Sequence, residues 1–348
     1  MNAWYKKDAH TYDVAMQNKA EAYQLTLTKP PGALGQLESI ATRFSAFQNT
    51  LKPSLNNIDV VIMAGDHGVA AEGVSAFPQA VTGEMVKNFA SGGAAISVLA
   101  KSLGANLSVL NLGTVFELPE IDGVLDCRIA AGTANFCQQA AMSSEQMQQA
   151  LTAGKEAAEK AVENAAQIFI GGEMGIANTT SAACVAARLL DKTPADLAGP
   201  GTGLDVAQIS HKAQVIQRAL DLHQTETAEE VLCAFAGFEL VALVGAYIRC
   251  AQLAVPVLVD GYITTAAALA AVSINPSIKP WLIASHQSAE PAHIMMLQAL
   301  ELEPLLDIQM RLGEGSGAAV VVPIIQAACK LQAEMASFAD AGVSEKSE

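Results

Sequence analysis

Apolar residues along the chain come in short runs, each closed by glycine or a polar turn and followed by a longer helical pattern. "VVIMAGDHG" (60–68), "LSVLNLGT" (107–114), "QIFIGGEMG" (167–175), "VPVLVDGY" (255–262) and "WLIASHQS" (281–288) are five such runs. Short apolar runs bounded by turn signals fit buried strands, and their alternation with helices predicts βαβ units. The expected fold class is α/β: a doubly wound parallel sheet with helices on both faces. Ligands in such sheets bind outside the carboxyl ends of the strands. That rule gathers Asp66, His67, Glu173, Asp260, His286 and Ser288 onto one edge.

The pattern changes at both ends of the chain. Residues 1–55 show helical stretches around "KPPGALGQLE" (29–38) and no clear strand. Residues 319–348 carry an apolar helical pattern that ends in the charged "VSEKSE". The two ends are expected to pack as a small helical domain beside a large α/β catalytic domain at 56–318. One stretch, "LVALVGAYIRCAQLAVPVLV" (240–259), is long enough to span a bilayer, but Arg249, Gln252 and Pro256 interrupt it. It reads as a buried helix, a turn and a strand. The N-terminus lacks the apolar run of a signal peptide. The expectation is a soluble, cytoplasmic protein without a membrane anchor.

Composition narrows the partners. Aromatics make up only 5% of the 348 residues while 51% are hydrophobic, which favours alanine-rich helices against a sheet over a β-sandwich. A formal net charge of −15 argues against a nucleic-acid partner and an anionic membrane surface. Cys127, Cys137, Cys184, Cys233, Cys250 and Cys329 are scattered, with no CxxC pair and no zinc spacing. They read as reduced, mostly buried thiols, and no metal site is expected.

Several loops could carry chemistry. "RLGEGSGA" (311–318) sets the lone carboxylate of Glu314 among three glycines. It is either a turn into the next helix, with Ser316 as N-cap, or a loop that wraps a ligand while Glu314 moves a proton. "GGEMGIANTT" (171–180) runs from a strand into a helix, a place that attracts phosphate. The bland alternative is an ordinary capped helix with an exposed Glu173. "GPGTGLDV" (199–206) adds a second pliable segment, but it lacks the third glycine and the preceding strand of a dinucleotide fingerprint. Lys212, a few residues on, is solvated surface or a phosphate counter-charge. Asp66 beside His67 suggests either a metal or a structural hydrogen bond, and no third ligand has matching spacing. Phe77, Pro78 and Met85 are core or the wall of a flat apolar pocket. His286, Ser288 and His293 invite a Ser-His reading, yet there is no GxSxG elbow.

Together these segments resemble the nicotinate-nucleotide–dimethylbenzimidazole phosphoribosyltransferase family, which makes α-ribazole phosphate for the lower ligand of cobalamin. "KPPGALGQLE", "GDHGVAAEGVSAFPQAVT", "GGEMGIANTT", "GTGLD", "LVDGYI", "SHQSAE" and "RLGEGSGAA" appear in the family's order from about residue 25 to residue 335. The resemblance implies that Glu314 is the general base and Glu173 a second active-site acid. It implies nucleotide and phosphate contacts from Gly175, Asn178, Thr179, Gly201, Gly203, Lys212, Ser288 and Gly313. The aromatic base would meet Phe77, Pro78, Met85, Met174 and Leu312. Some members carry polar residues where this chain has Phe77 and Met85. The implied substrates are nicotinate mononucleotide and dimethylbenzimidazole or a related base, with no cofactor. Transfer by a single inverting displacement, a fold with a small helical domain from both chain ends, and a homodimer are implied as well.

Overall fold

The computed structural model describes residues 3–199, 201, 203 and 205–343. Its sheet has six strands: β1 (Ile58–Gly65), β2 (Asn106–Gly113), β3 (Val124–Asp126), β4 (Ile168–Met174), β5 (Val257–Val259) and β6 (Leu282–Ala284). They lie in the order β3-β2-β1-β4-β5-β6, and every pair is parallel. The five apolar runs are five of these strands. The sixth, β3, was not expected: it is three residues long and half-exposed to exposed, so it has no apolar run to announce it. As an edge strand it needs only one hydrogen-bonded neighbour, β2.

The strand order reverses between β1 and β4, the place where a doubly wound sheet opens a crevice. Their register sets Met63 beside Glu173 and Ala64 beside Met174, so the acid arrives at the carboxyl edge next to Gly65, Asp66 and His67. The stretch at 240–259 is the helix Phe238–Gln252, a turn and β5, and of that helix only Arg249 and Gln252 escape burial. It crosses the helix Ser144–Glu163 backbone to backbone. A Cβ on Gly154 would overlap the Ala242 carbonyl, and one on Gly245 would overlap that of Leu151. Larger residues there would push the helix Ser144–Glu163 off the helix Phe238–Gln252, which lies on the sheet.

The chain divides into two compact units. Residues 3–9 and 57–319 form the larger one, and 10–56 with 320–343 form the smaller. The opening residues differ from the sequence expectation, because hydrogen bonds tie them to the sheet unit. Gln252 Nε2 donates to the Trp4 carbonyl (3.0 Å), Asn275 Nδ2 donates to that of Tyr5 (3.0 Å), and the Ala9 N–H donates to Ser277 Oγ (2.8 Å).

In the smaller unit the two chain ends meet. Thr28 N–H donates to the Ala336 carbonyl (3.1 Å), Phe338 N–H donates to that of Thr26 (2.9 Å), and buried Gln24 and Gln332 pair at 2.8 Å. "KPPGALGQLE" is a clipped turn here. Glu38 accepts from the Leu34 N–H (3.0 Å) and pairs with Lys29 at 2.8 Å, which fixes the entry to the helix Gln36–Gln48. The tail from residue 344 lies outside the described residues. By length and composition the helix Ser316–Glu334 could cross a bilayer, but 56% of its apolar window is buried inside the protein, as in a core helix.

Candidate active site

A cavity of about 320 Å³ opens at the carboxyl edge of the sheet, wholly within the larger unit. The end of β4 borders it through Glu173 and Met174; just before them Gly171 makes room for the Leu243 and Tyr247 side chains, and Gly172 for another backbone that lies directly on it. A Cβ on Gly172 would overlap the carbonyl of Glu314. That covering segment is the 313–315 loop, in which three successive residues take left-handed conformations: Gly313 at φ 86°, Glu314 at φ 64° and Gly315 at φ 81°. Glycine adopts φ > 0 freely, whereas glutamate there is strained. The strain sits on the one residue whose side chain the loop presents to the cavity.

The loop is held from below. Asp260, just past β5, accepts from the Gly315 N–H (3.1 Å) and the Ala318 N–H (2.7 Å). It therefore caps the helix Ser316–Glu334 from outside. Ser316 does not cap it; its hydroxyl turns back to donate to the Gly313 carbonyl at 2.6 Å. Glu173 supports the loop too, with Oε1 accepting from the Glu314 N–H at 3.4 Å and Oε2 accepting from Asn178 Nδ2. A Cβ on Gly313 would overlap that Oε1. Glu173 is thus buried and doubly hydrogen-bonded, against the bland reading of an exposed acid.

Crowding the carboxylates together has an electrostatic consequence. Burial, reinforced by the charges of Asp260, Glu239 and Glu314, pushes the Glu173 carboxyl well above the usual range. Burial raises Asp260 to about 7 despite its backbone hydrogen bonds. Glu314 is raised by burial and drawn partly back by the Ile96 N–H. Its Oε2 is buried and has no hydrogen-bond partner among the described residues. A buried acceptor without a donor is costly. This atom is free to take a proton.

Beside Glu173 the helix Asn178–Leu190 starts after Ala177, a left-handed residue with no side-chain cap. Lys212 is fully buried beneath this start. Its ammonium donates to Thr179 Oγ1 (2.8 Å) and to the Gly199 carbonyl (3.4 Å). Burial lowers it to about 8, with Glu290 pulling the other way. The surface reading of Lys212 is therefore excluded. Gly201 lies in the cavity wall, and Arg311 Nη1 donates to its carbonyl at 3.2 Å. Burial raises Glu290, whose Oε1 is unpartnered among the described residues, while Lys212 and Arg311 lower it. Pro200, Thr202 and Leu204 of the same segment lie outside the described residues.

Val74, Phe77, Val81, Met85, Met174 and Leu312 supply apolar lining to the same cavity as Glu314. Phe77 (49%) and Leu312 (58%) remain accessible at the rim. Gly175, Asn178, Thr179, Ser288 and Gly313 also line the cavity, as the sequence led us to expect. Lys212, Pro78 and Gly203 do not: Lys212 is buried against Thr179, Pro78 is exposed before the helix Ala80–Ser91, and Gly203 stands in open space.

The other candidates resolve into structural roles. His67 Nε2 pairs with Glu239 Oε1 at 2.8 Å, both buried, while Asp66 turns to Thr82 and the Val115 N–H. The two side chains diverge, and no group of three potential ligands converges among the described residues. His293 Nδ1 accepts from the Ser288 N–H (2.8 Å), and its Nε2 lies 2.8 Å from Thr265 Oγ1. Since Thr265 spends its own proton on the Gly261 carbonyl (2.7 Å), His293 must donate through Nε2 and is neutral. Burial takes it to about 3. Ser288 Oγ accepts from the Glu290 N–H (3.3 Å), and no hydrogen bond joins it to a base among the described residues. His286, Glu290 and Arg311 line the cavity and Asp260 holds its loop; the sequence placed Asp260 and His286 at the sheet edge without assigning them a role in the site, and did not single out Glu290 or Arg311. Their signal was position at strand ends or beside "LGEGSGA".

The chain matches a phosphoribosyltransferase family model over residues 9–343. It is 51% identical over 346 residues to nicotinate-nucleotide–dimethylbenzimidazole phosphoribosyltransferase from Pseudomonas putida KT2440, covering 99% of both chains. Its identity to the protein of that name from Pseudomonas aeruginosa PAO1 is 52% over 345 residues, covering 99% of this chain and 98% of the other. The crystal structure of CobT from Thermus thermophilus superposes with a TM-score of 0.92 at 43% identity, over 95% of this chain and 100% of that one.

Proposed function

Since the chain belongs to the nicotinate-nucleotide–dimethylbenzimidazole phosphoribosyltransferase family, we propose that it moves the 5-phosphoribosyl group of nicotinate mononucleotide onto 5,6-dimethylbenzimidazole. The products are nicotinate and α-ribazole 5′-phosphate, the precursor of the cobalamin lower ligand. The observation that carries this reading is Glu314, a cavity-lining acid whose Oε2 has no partner among the described residues, in a pocket otherwise lined by apolar side chains such as Val74, Phe77, Val81 and Met85. A flat, apolar, N–H-bearing acceptor suits such a pocket. The family likeness also supports a homodimer and a cytoplasmic setting.

The chemistry asks little beyond positioning. Nicotinate in the nucleotide is a cationic pyridinium, so it leaves without an acid. The incoming benzimidazole attacks C1′ through one nitrogen, and the N–H on its other nitrogen becomes strongly acidic as the bond forms. Glu314 takes that proton. Glu173 offers negative charge to the sugar as C1′ turns electron-poor. The helix start at Asn178 and the buried Lys212 hold the phosphate and so align C1′ for attack.

Purified protein incubated with nicotinate mononucleotide should release nicotinate only when dimethylbenzimidazole is added. Release without the base would instead identify a nucleotide hydrolase. Lys212→Ala should raise the nucleotide KM and leave that of the base nearly unchanged. A charge-assisted contact is worth roughly 1.5–3 kcal/mol, or about 10- to 150-fold. An unchanged nucleotide KM would remove Lys212 from the phosphate site.

A further inference from the structure

The Asp66-His67 pair is conspicuous in the sequence, holds no metal geometry, and has no part in the proposed chemistry. Its surroundings give it a purpose. Asp66 follows β1 and is 1% exposed. Its Oδ2 accepts from the Val115 N–H at 2.8 Å, and its Oδ1 accepts the Thr82 hydroxyl proton at 2.6 Å. Thr82 is itself fully buried in the helix Ala80–Ser91. Having given its only proton to Asp66, its oxygen accepts from the Ile176 N–H at 3.1 Å. The direction of the chain is therefore fixed: Ile176 N–H to Thr82 hydroxyl to Asp66 carboxylate. His67 packs under the same loop, where a Cβ on Gly175 would come within 3.0 Å of its Nε2.

This chain joins the two halves of the site. The helix that carries Thr82 also carries Val81 and Met85 of the apolar lining, whereas Ile176 lies between Gly175 and Asn178 on the nucleotide side. Thr82 is the polar joint between them. We infer that the Asp66–Thr82 relay is a positioning device that sets the distance between the acceptor base and C1′ of the nucleotide. The inference rests on the proposed transfer reaction for its kinetic meaning, and on buried hydrogen bonds for its geometry. A carboxylate end makes the joint stiffer than a neutral one, because hydrogen bonds to ionised groups are roughly twice as strong.

Thr82→Val keeps the volume and removes the hydroxyl, and Thr82→Ser keeps the hydroxyl. If the relay positions the reactants, Thr82→Val should lower kcat about 10²-fold, the usual cost of a misplacement near 1 Å. Nucleotide KM should move by less than about threefold, since what is lost is alignment and not uniform binding. Thr82→Ser should stay within about twofold of wild-type kcat by retaining the same bonds. Wild-type kcat in Thr82→Val overturns the relay, and so does an equal loss in both variants, which would mark simple packing. If Thr82→Val does not fold, Asp66→Asn is read by the same criteria. Hydrogen exchange at the Ile176 amide provides a readout independent of turnover. It should accelerate in the hydroxyl-less variant and not in Thr82→Ser, and unchanged exchange rejects the relay. Absence of transfer by the wild-type protein would sink the proposed function, and the exchange measurement would still decide the relay.

Discussion

Glu314→Gln should lower kcat for ribosyl transfer by roughly 10²–10⁴-fold while nucleotide binding and the thermal midpoint change little, the range expected when a general base is lost. Glutamine has the same shape, inherits the same left-handed backbone at φ 64°, and leaves the Glu314 N–H contact to Glu173 in place. What it cannot do is take a proton. A pH profile separates this loss from a disturbed loop. Burial lifts the Glu314 carboxyl, so its basic form appears at higher pH than for an ordinary glutamate near 4.3. Wild-type kcat should therefore rise with pH along an acid limb displaced upward from that value, and the residual activity of Glu314→Gln should lack the limb. Burial also raises Asp260, to about 7, and Glu173, so a limb that survives in the variant belongs to one of these neighbours and not to Glu314. More than about a tenth of wild-type kcat in Glu314→Gln would take the base role away from Glu314.

How far the sequence carries the reader depends on where each group finds its partner. β1, β2, β4, β5 and β6 are legible because each is an apolar run closed by a turn; β3 is not, because three half-exposed residues on a sheet edge make no run. Glu314, Glu173 and Asn178 are legible because glycines and helix-start residues surround them locally. Asp260 is legible only as a strand-end acid. Its bonds to Gly315 and Ala318 span 55 and 58 residues of chain, and no local pattern encodes them. The same holds for Thr82, which meets Ile176 across 94 residues. Pro78 shows the opposite failure. It sits amid the right motif, but the turn before the helix Ala80–Ser91 aims it at solvent.

Glu173→Gln should cost about 10²–10³-fold in kcat, the scale of losing one preorganised electrostatic group, and should leave the product's configuration unchanged. Both Glu173 oxygens already accept hydrogen bonds, one from Asn178 Nδ2 and one from the Glu314 N–H. A glutamine must turn its NH₂ toward one of these donors, so either the helix start or the base's loop loses its buried partner. The charge goes as well. In the free enzyme burial holds Glu173 toward its protonated form. A bound pyridinium, and then the positive charge growing at C1′, favour the anion where it is useful. The geometry opposes the alternative role of nucleophile, since an oxygen engaged as an acceptor under Gly313 is poorly free to attack. The reaction should therefore run as one inverting displacement in a ternary complex. Double-reciprocal plots should intersect, no nicotinate burst should appear when the base is withheld, and proton NMR should show the α-riboside. Parallel lines, a stoichiometric burst and a β-product would make Glu173 the nucleophile of a double displacement.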